Sequence, residues 1–367
     1  MGYTLQEAAR LTGFCKSSIS NFENGAEPRF SQLVRFAEVY RRRIEWFLEE
    51  GKRPDEPVLL WRDKPETESC ARPVEMEFRQ ICEQYHRLEC LMKASSRQSW
   101  PPVADRFPAE GNPFYRARTY AEKVGCLLQL GERPSQSLRQ VLEEDYGVKI
   151  FHLELNEQGS AISTYSPRFG PAVLLNAKSK AWRRNFDLAH ELFHLLTWEQ
   201  YVMAPGVDEG TRRFPSALEE QMANAFASVL LLPASPLKRR IDAVRGNSMA
   251  GGVSLDVLDE IAREFGVSLE ALLWRLVSLY DIPPDKIQEY IARIPSLRVI
   301  RPPRQSDKPD KFPERYWSLA LAALREGRLS LAQFAKYVDI SYHEAQLYLR
   351  EDEGFTDEAE TIPLSAS

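Results

Sequence analysis

The chain has 367 residues, 43% of them hydrophobic, enough to bury more than one core, so two or three domains are expected. A formal charge of −5 excludes a molecule that holds nucleic acid by bulk charge, and any such contact has to come from a local surface. No apolar run approaches a membrane span, no leader opens the sequence, and five scattered cysteines without a CxxC pair suit a cytoplasmic protein without disulfides or a cysteine-held metal.

Residues 1–55 read as short helices with tight joints. A helix over 5–11 closes at Thr12-Gly13, where glycine supplies the left-handed turn, and a second over 17–23 ends at Asn24-Gly25. Amphipathic turns follow over 30–40 and 44–48, completing a helix-turn-helix layout. Residues 56–111 read as a helical connector. Positions 51–66 are charged and proline-containing, and 75–93 carries apolar residues at helical spacing (Phe78, Ile81, Cys82, Tyr85, Leu88, Leu91). Positions 95–113 are loose and rich in proline. His86 reads as a surface or structural histidine.

Between residues 112 and 290 the pattern mixes helix and strand. Helices are expected over 115–130 and 137–146, and strands over 148–155, 162–166 and 172–176. His152, on the first strand, has no partner nearby in sequence and reads as no ligand. A long helix starts near Lys180, another spans 216–232 before Pro233, and two more meet at Gly266-Val267-Ser268. Residues 291–311 read as a linker, 312–350 as a C-terminal helical domain with helix-turn-helix spacing, and 351–367 as a disordered acidic-then-polar tail.

The helix from Lys180 contains His190-Glu191-Leu192-Phe193-His194. Histidines four apart on a helix point the same way and can bind one cation. Glu191, one step round, lies beside that cation and can take a proton from a metal-bound water. The alternative is a plain buried helix. Its apolar flanks suit a helix through a core in either case. A catalytic zinc takes a third protein ligand and keeps one position for water. No histidine follows shortly downstream, which excludes the metzincin arrangement. The next acidic helix offers Glu219 and Glu220. Glu220 shares a face with Ala223, Asn224 and Ala227, so helix geometry favours it, with Asn224 as a supporting hydrogen-bond partner and Glu219 as the alternative.

The run Arg183-Arg184-Asn185-Phe186-Asp187-Leu188-Ala189 ahead of that motif, then Glu220-Gln221-Met222-Ala223-Asn224-Ala225-Phe226-Ala227 and Leu230-Leu231-Leu232-Pro233, resembles the ImmA/IrrE family of metallo-endopeptidases. The likeness covers roughly residues 114–285. It implies His190, His194 and Glu220 as zinc ligands, Glu191 as general base, and cleavage of a DNA-binding repressor to relieve transcriptional repression. Phe193 stands where many relatives carry glycine, and its bulk would narrow the cleft. Tyr165, Tyr201 and His343 are possible oxyanion donors, but each reads first as structural, and none is assigned the role.

Residues 8–34, with Ser18-Ile19-Ser20-Asn21-Phe22-Glu23-Asn24-Gly25 at their centre, resemble the Xre-type helix-turn-helix of phage repressors. The resemblance implies that Lys16, Ser17, Ser18, Ser20 and Asn21 face the major groove. The first helix of such modules is expected before Tyr3, where the sequence leaves no room for it, and charge in the segment is nearly balanced, so the alternatives are docking to a protein or an incomplete DNA reader whose first helix lies upstream of residue 1. The expected fold class is α+β, mostly helical: a small sheet with zincin-like helices, flanked by all-α segments. The expected function is a regulatory zinc endopeptidase cutting a repressor or antitoxin-like protein encoded nearby, with DNA contact through the N-terminal module and a possible homodimer. The alternative is a DNA-binding regulator whose peptidase-like domain only senses or dimerises.

Overall fold

The computed structural model describes residues 3–41, 44–48, 57–63, 68–103, 105–155, 159–203, 215–245, 252–298 and 308–353. The chain divides into two compact units, residues 1–57 with 65–84, and residues 58–64 with 85–367.

In the first unit, α1 (Leu5–Thr12) starts at a capping box: the Thr4 hydroxyl accepts from Glu7 N–H, and the Glu7 carboxylate accepts from Thr4 N–H. It ends at Gly13 in the left-handed region (φ 77°), which glycine adopts without a Cβ penalty. The helices α2 (Lys16–Glu23), α3 (Phe30–Val39) and α4 (Ile44–Leu48) follow. Ala8, Ile19 and Phe36 form the small core, with Phe14 and Phe22 edge-on to Phe36 at 5.4 and 5.7 Å. The helix expected over 75–93 is longer, α5 (Glu68–Met92). Its first half joins this unit, where Tyr3 donates to Met76 Sδ (3.2 Å) and Arg41 pairs with Glu77 (2.9 Å). The unit boundary falls inside α5, within the stretch 56–111 read as a helical connector.

The second unit holds a four-stranded sheet of β1 (Leu60–Arg62), β2 (Lys149–Leu153), β3 (Ala161–Ser166) and β4 (Gly170–Asn176), in the order β1-β3-β4-β2. The β3–β4 and β1–β3 pairs are antiparallel, and β2 runs parallel to β4. The strands are largely buried on both faces: β4 is apolar over Ala172-Val173-Leu174-Leu175, while β2 and β3 also bury polar residues, among them His152, Ser163 and Thr164. β1 lies in the stretch expected to be a connector. Three residues are too few to show a period, and the pairing comes from β3, a hundred residues away.

Helices α6 (Pro113–Leu127) and α7 (Pro134–Gln140) precede β2, the latter continuing as a π turn over Val141–Asp145. After the sheet come α8 (Ala181–Leu196), the short α9 (Trp198–Tyr201), α10 (Ala217–Leu231), α11 (Ala234–Arg245), α12 (Leu255–Glu264), α13 (Leu269–Tyr280) and α14 (Pro284–Arg298). α14 runs through residue 291, where a linker was expected. Ile287 and Ile294, seven apart, bury one face of it in the main core. Phe193 is wholly buried, with ring contacts to Phe107 (5.3 Å) and Phe226 (5.6 Å). It fills the core between α8 and α10 and does not narrow a cleft.

The C-terminal helices α15 (Glu314–Arg325), α16 (Leu331–Val338) and α17 (Tyr342–Glu353) belong to the same unit. Residues just before them cover the β2 edge: His152 N–H donates to Lys311 O (3.0 Å), and Phe312 packs near Phe151 and stacks on Tyr316 at 4.5 Å. Of residues 351–367, expected to be a disordered tail, 351–353 form the end of α17, and 354–367 lie outside the described residues. Among the described residues no helix is long and apolar enough to cross a membrane.

Glu143, in the π turn, is 8% exposed and accepts from Arg139 Nε (3.0 Å). Burial, opposed by Arg139, pushes its carboxyl up to about 7. The folded pKa lies above the unfolded one, so the folded state binds the extra proton between them and stability falls as pH rises across that window. Glu143→Gln is therefore expected to gain in Tm relative to the parent between pH 5 and pH 8. Melts showing a Tm difference independent of pH would contradict this.

Candidate metal centre

Two helices and one strand assemble the site. α8 carries His190 and His194 one turn apart, and Thr197 closes it by donating from Oγ1 to Phe193 O (2.8 Å). α10 begins at a capping box in which Ser216 N–H donates to Glu219 Oε2 (3.0 Å) and Glu219 N–H donates to Ser216 Oγ (3.3 Å). Glu219 is thereby committed to its own helix end, while Glu220 turns toward α8. Glu220 Oε2 lies 3.2 Å from His190 Nε2, and Oε1 lies 3.4 Å from His194 Nε2. The two Nε2 atoms are 3.1 Å apart. Among the described residues, His190, His194 and Glu220 are the group whose ligand atoms converge closely enough to hold a metal ion.

These separations can be compared with what a metal needs. Zinc–nitrogen and zinc–oxygen bonds of about 2.0–2.2 Å at tetrahedral angles place neighbouring donors about 3.3–3.5 Å apart. The three contacts, at 3.1–3.4 Å, are close to that spacing. Burial drives the His190 pKa down to about 3, so its ring stays neutral, as a ligand must be. Burial alone would raise the Glu220 carboxyl, but its closeness to His190 and His194 outweighs that and holds the group well below the usual carboxylate range. The donor set fits a single divalent ion with imidazole and carboxylate ligands.

Glu191 is 1% exposed, and among the described residues neither carboxylate oxygen has a hydrogen-bond partner. Burial pushes its pKa up to about 7, and His194 and the Ser163 hydroxyl on β3 pull in the other direction. The Ser163 Oγ lies close enough to act on the carboxyl, but not in hydrogen-bond geometry. A buried, unpartnered carboxylate is expensive, and such groups concentrate at functional sites.

A chain of polar side chains runs behind the histidines. His190 Nδ1 lies 3.0 Å from Asn224 Oδ1, one turn along α10 from Glu220. Arg62 of β1 donates from Nη2 to the same oxygen (3.2 Å). Its Nη1 lies 2.9 Å from Asp187 Oδ1, an ionic contact outside hydrogen-bond geometry. Arg183 also pairs with Asp187 (3.0 Å) and reaches Asp63 (3.2 Å), which accepts from Ser160 Oγ (3.1 Å). The sequence reading left out Arg62, Arg183 and Asp187 as site residues. Arg183 and Asp187 carried a signal, opposite charges at i,i+4 with Asp187 one turn before His190. Arg62 carried none, because its partners are far along the chain.

The remaining expected residues lie elsewhere. Lys16, Ser17 and Asn21 are exposed on α2, Ser18 and Ser20 are half-buried, and Ile19 points into the core. The Ser17 and Ser18 hydroxyls sit 3.2 and 2.9 Å from Cys15 Sγ. His343 is exposed on α17, and the Tyr201 ring packs near Phe107 at 6.4 Å. Tyr165 shares a strand face with Ser163. His152 faces the Asp310 carbonyl from Nδ1 (3.2 Å).

Residues 143–277 match the family described as IrrE N-terminal-like domain, Peptidase_M78, and residues 1–47 match the helix-turn-helix family. No curated protein shows a significant match. Among solved structures, a Mycobacterium tuberculosis transcriptional regulator aligns at 16% identity and a TM-score of 0.32, covering 54% of this chain. This chain spans about half of that one (51%), and the likeness is too distant to bear on function. An IrrE N-terminal-like match over 143–277 following a helix-turn-helix match over 1–47 is the domain order expected from the sequence.

Proposed function

We propose that the chain is a regulatory zinc-dependent endopeptidase that cleaves a DNA-binding repressor or antitoxin-like protein, and that its helix-turn-helix contacts DNA. The observation carrying this reading is the meeting of His190, His194 and Glu220 at zinc-ligand spacing, with the unpartnered Glu191 carboxylate next to His190 in the chain. The IrrE-like domain match supports it independently.

His190, His194 and Glu220 would hold the ion. Bound there, zinc supplies an acidified water and a polarised scissile carbonyl. Glu191 accepts the proton of the attacking water and delivers it to the departing amine, so one carboxyl serves as base and then as acid. Its apolar burial keeps the carboxyl poised near neutrality. His190 stays neutral, and both histidines would bind through Nε2. On α2, Lys16, Ser17 and Asn21 are exposed and would meet phosphates and base edges, with Ile19 buried beneath them.

One observation favours a second reading, a DNA-binding regulator whose peptidase-like domain does not cut. Glu191 is almost sealed from solvent, so a peptide reaches it only if the site opens.

Purified protein is expected to carry about one zinc per chain. Glu191→Gln should keep the metal and lower cleavage of an adjacently encoded repressor by about 10²–10⁴-fold. Equal cleavage by parent and variant would refute the role, and no cleavage by the zinc-loaded parent would favour the second reading. Glu220→Ala should weaken zinc binding by more than about 100-fold, beyond the cost of losing an outer hydrogen-bond partner, while Glu219→Ala keeps it. Chelator competition reads both, and the reverse result would exchange the two glutamates. In a gel shift against the protein's own promoter at low salt, Asn21→Ala should weaken binding. A parent that binds no DNA there would point to protein docking.

A further inference from the structure

We infer that Arg62 is a positioning residue of the metal centre: by holding the Asn224 amide in one orientation, it dictates which ring nitrogen of His190 carries the proton and reserves the Nε2 lone pair for the ion. The inference rests on the reading of His190 as a ligand. It adds a residue upstream of the matched segment 143–277, from a strand that joins the sheet through β3.

The reasoning uses only donors and acceptors. A guanidinium has N–H groups and no acceptor, so the Asn224 atom 3.2 Å from Arg62 Nη2 has to be the oxygen. The same oxygen lies 3.0 Å from His190 Nδ1, which must then donate. A neutral imidazole has one N–H, so Nε2 is left with its lone pair. That lone pair faces His194 Nε2 and Glu220 Oε2 at 3.1 and 3.2 Å. Asn224 is exposed, so nothing in its own packing stops the amide from turning over. Turned over, it would present N–H to His190 Nδ1, select the other tautomer, and put a proton where the ion belongs.

Arg62 is itself firmly held. Its side chain is 9% exposed, with Nη1 on Asp187 (2.9 Å) and the guanidinium 5.3 Å from the Phe186 ring centre. Its carbonyl accepts from Ser160 N–H (3.3 Å), and it is paired across the sheet with Ala161. The fork thus spends one arm on Asp187 and the other on Asn224. A lysine, with one ammonium point, could not hold both in this geometry.

The test uses the full chain labelled with 15N-histidine, metal-free for ring spectra and then titrated with zinc against a chelator. The parent should show His190 with Nδ1 protonated and Nε2 bare. Arg62→Met should give a mixed-tautomer signal for His190 and zinc affinity lower by about 10–100-fold. Asp187 keeps Arg183 as partner in that variant. Should it fail to fold, Arg62→Met/Asp187→Asn removes both buried charges together and carries the same expectation. Adding Asn224→Asp to Arg62→Met should restore the tautomer and most of the affinity, because a carboxylate accepts whichever way it turns. Unchanged His190 signals in Arg62→Met would overturn the inference, as would a loss of affinity that Asn224→Asp does not recover. If the parent binds no zinc but its His190 tautomer still depends on Arg62, the orienting role stands and the metal reading fails.

Discussion

The close packing of α8 on α10 is the constraint from which the centre follows. An i,i+4 histidine pair supplies two donors, but a helix cannot bring a third to the same point from its own surface without breaking its geometry. The third comes from a neighbour, and the neighbour has to be near. Ala189 on α8 and Ala223 and Ala227 on α10 are fully buried and small, so the two backbones can approach. Phe193 and Phe226 fill the space on the core side at 5.6 Å. Capping then assigns the carboxylates: Glu219 satisfies the start of α10, and Glu220, one residue on, faces the histidines.

Electrostatics gives each group in this packed region a different state. His190 is kept neutral by burial, Glu220 anionic by its two histidine partners, and Glu191 is lifted toward neutrality because its surroundings are dry. Three titratable residues, two on α8 and one on α10, thus carry three environments, the pattern by which one fold separates ligand from proton carrier. Behind them, Asp187 is shared between Arg62 and Arg183, so its buried charge is compensated from two sides. The polar chain from Asp63 to His190 ties the sheet edge to α8 without leaving an unpaired ion in the core.

Much of this was legible in the sequence. The α+β, mostly helical character, the three central strands, the helices bearing the histidines and Glu220, and the capping signals all follow from local rules of periodicity and termination, which act over a few residues. Where those rules ran short, the reading did too. β1 is three residues long, the end of α14 from residue 291 was given to a linker because proline- and charge-rich sequence follows it, and Phe193 looked like a cleft residue because its partners Phe107 and Phe226 are distant in sequence.

What the sequence determined by itself was the set of donors and their spacing along each helix, because helical pitch turns a spacing of four into a shared face. What only the tertiary structure decided was which carboxylate those donors meet, which arginine orients the amide beside them, and how dry Glu191 is. Those depend on contacts between residues 30 to 160 positions apart, and no local periodicity encodes which distant surfaces a chain will bury together.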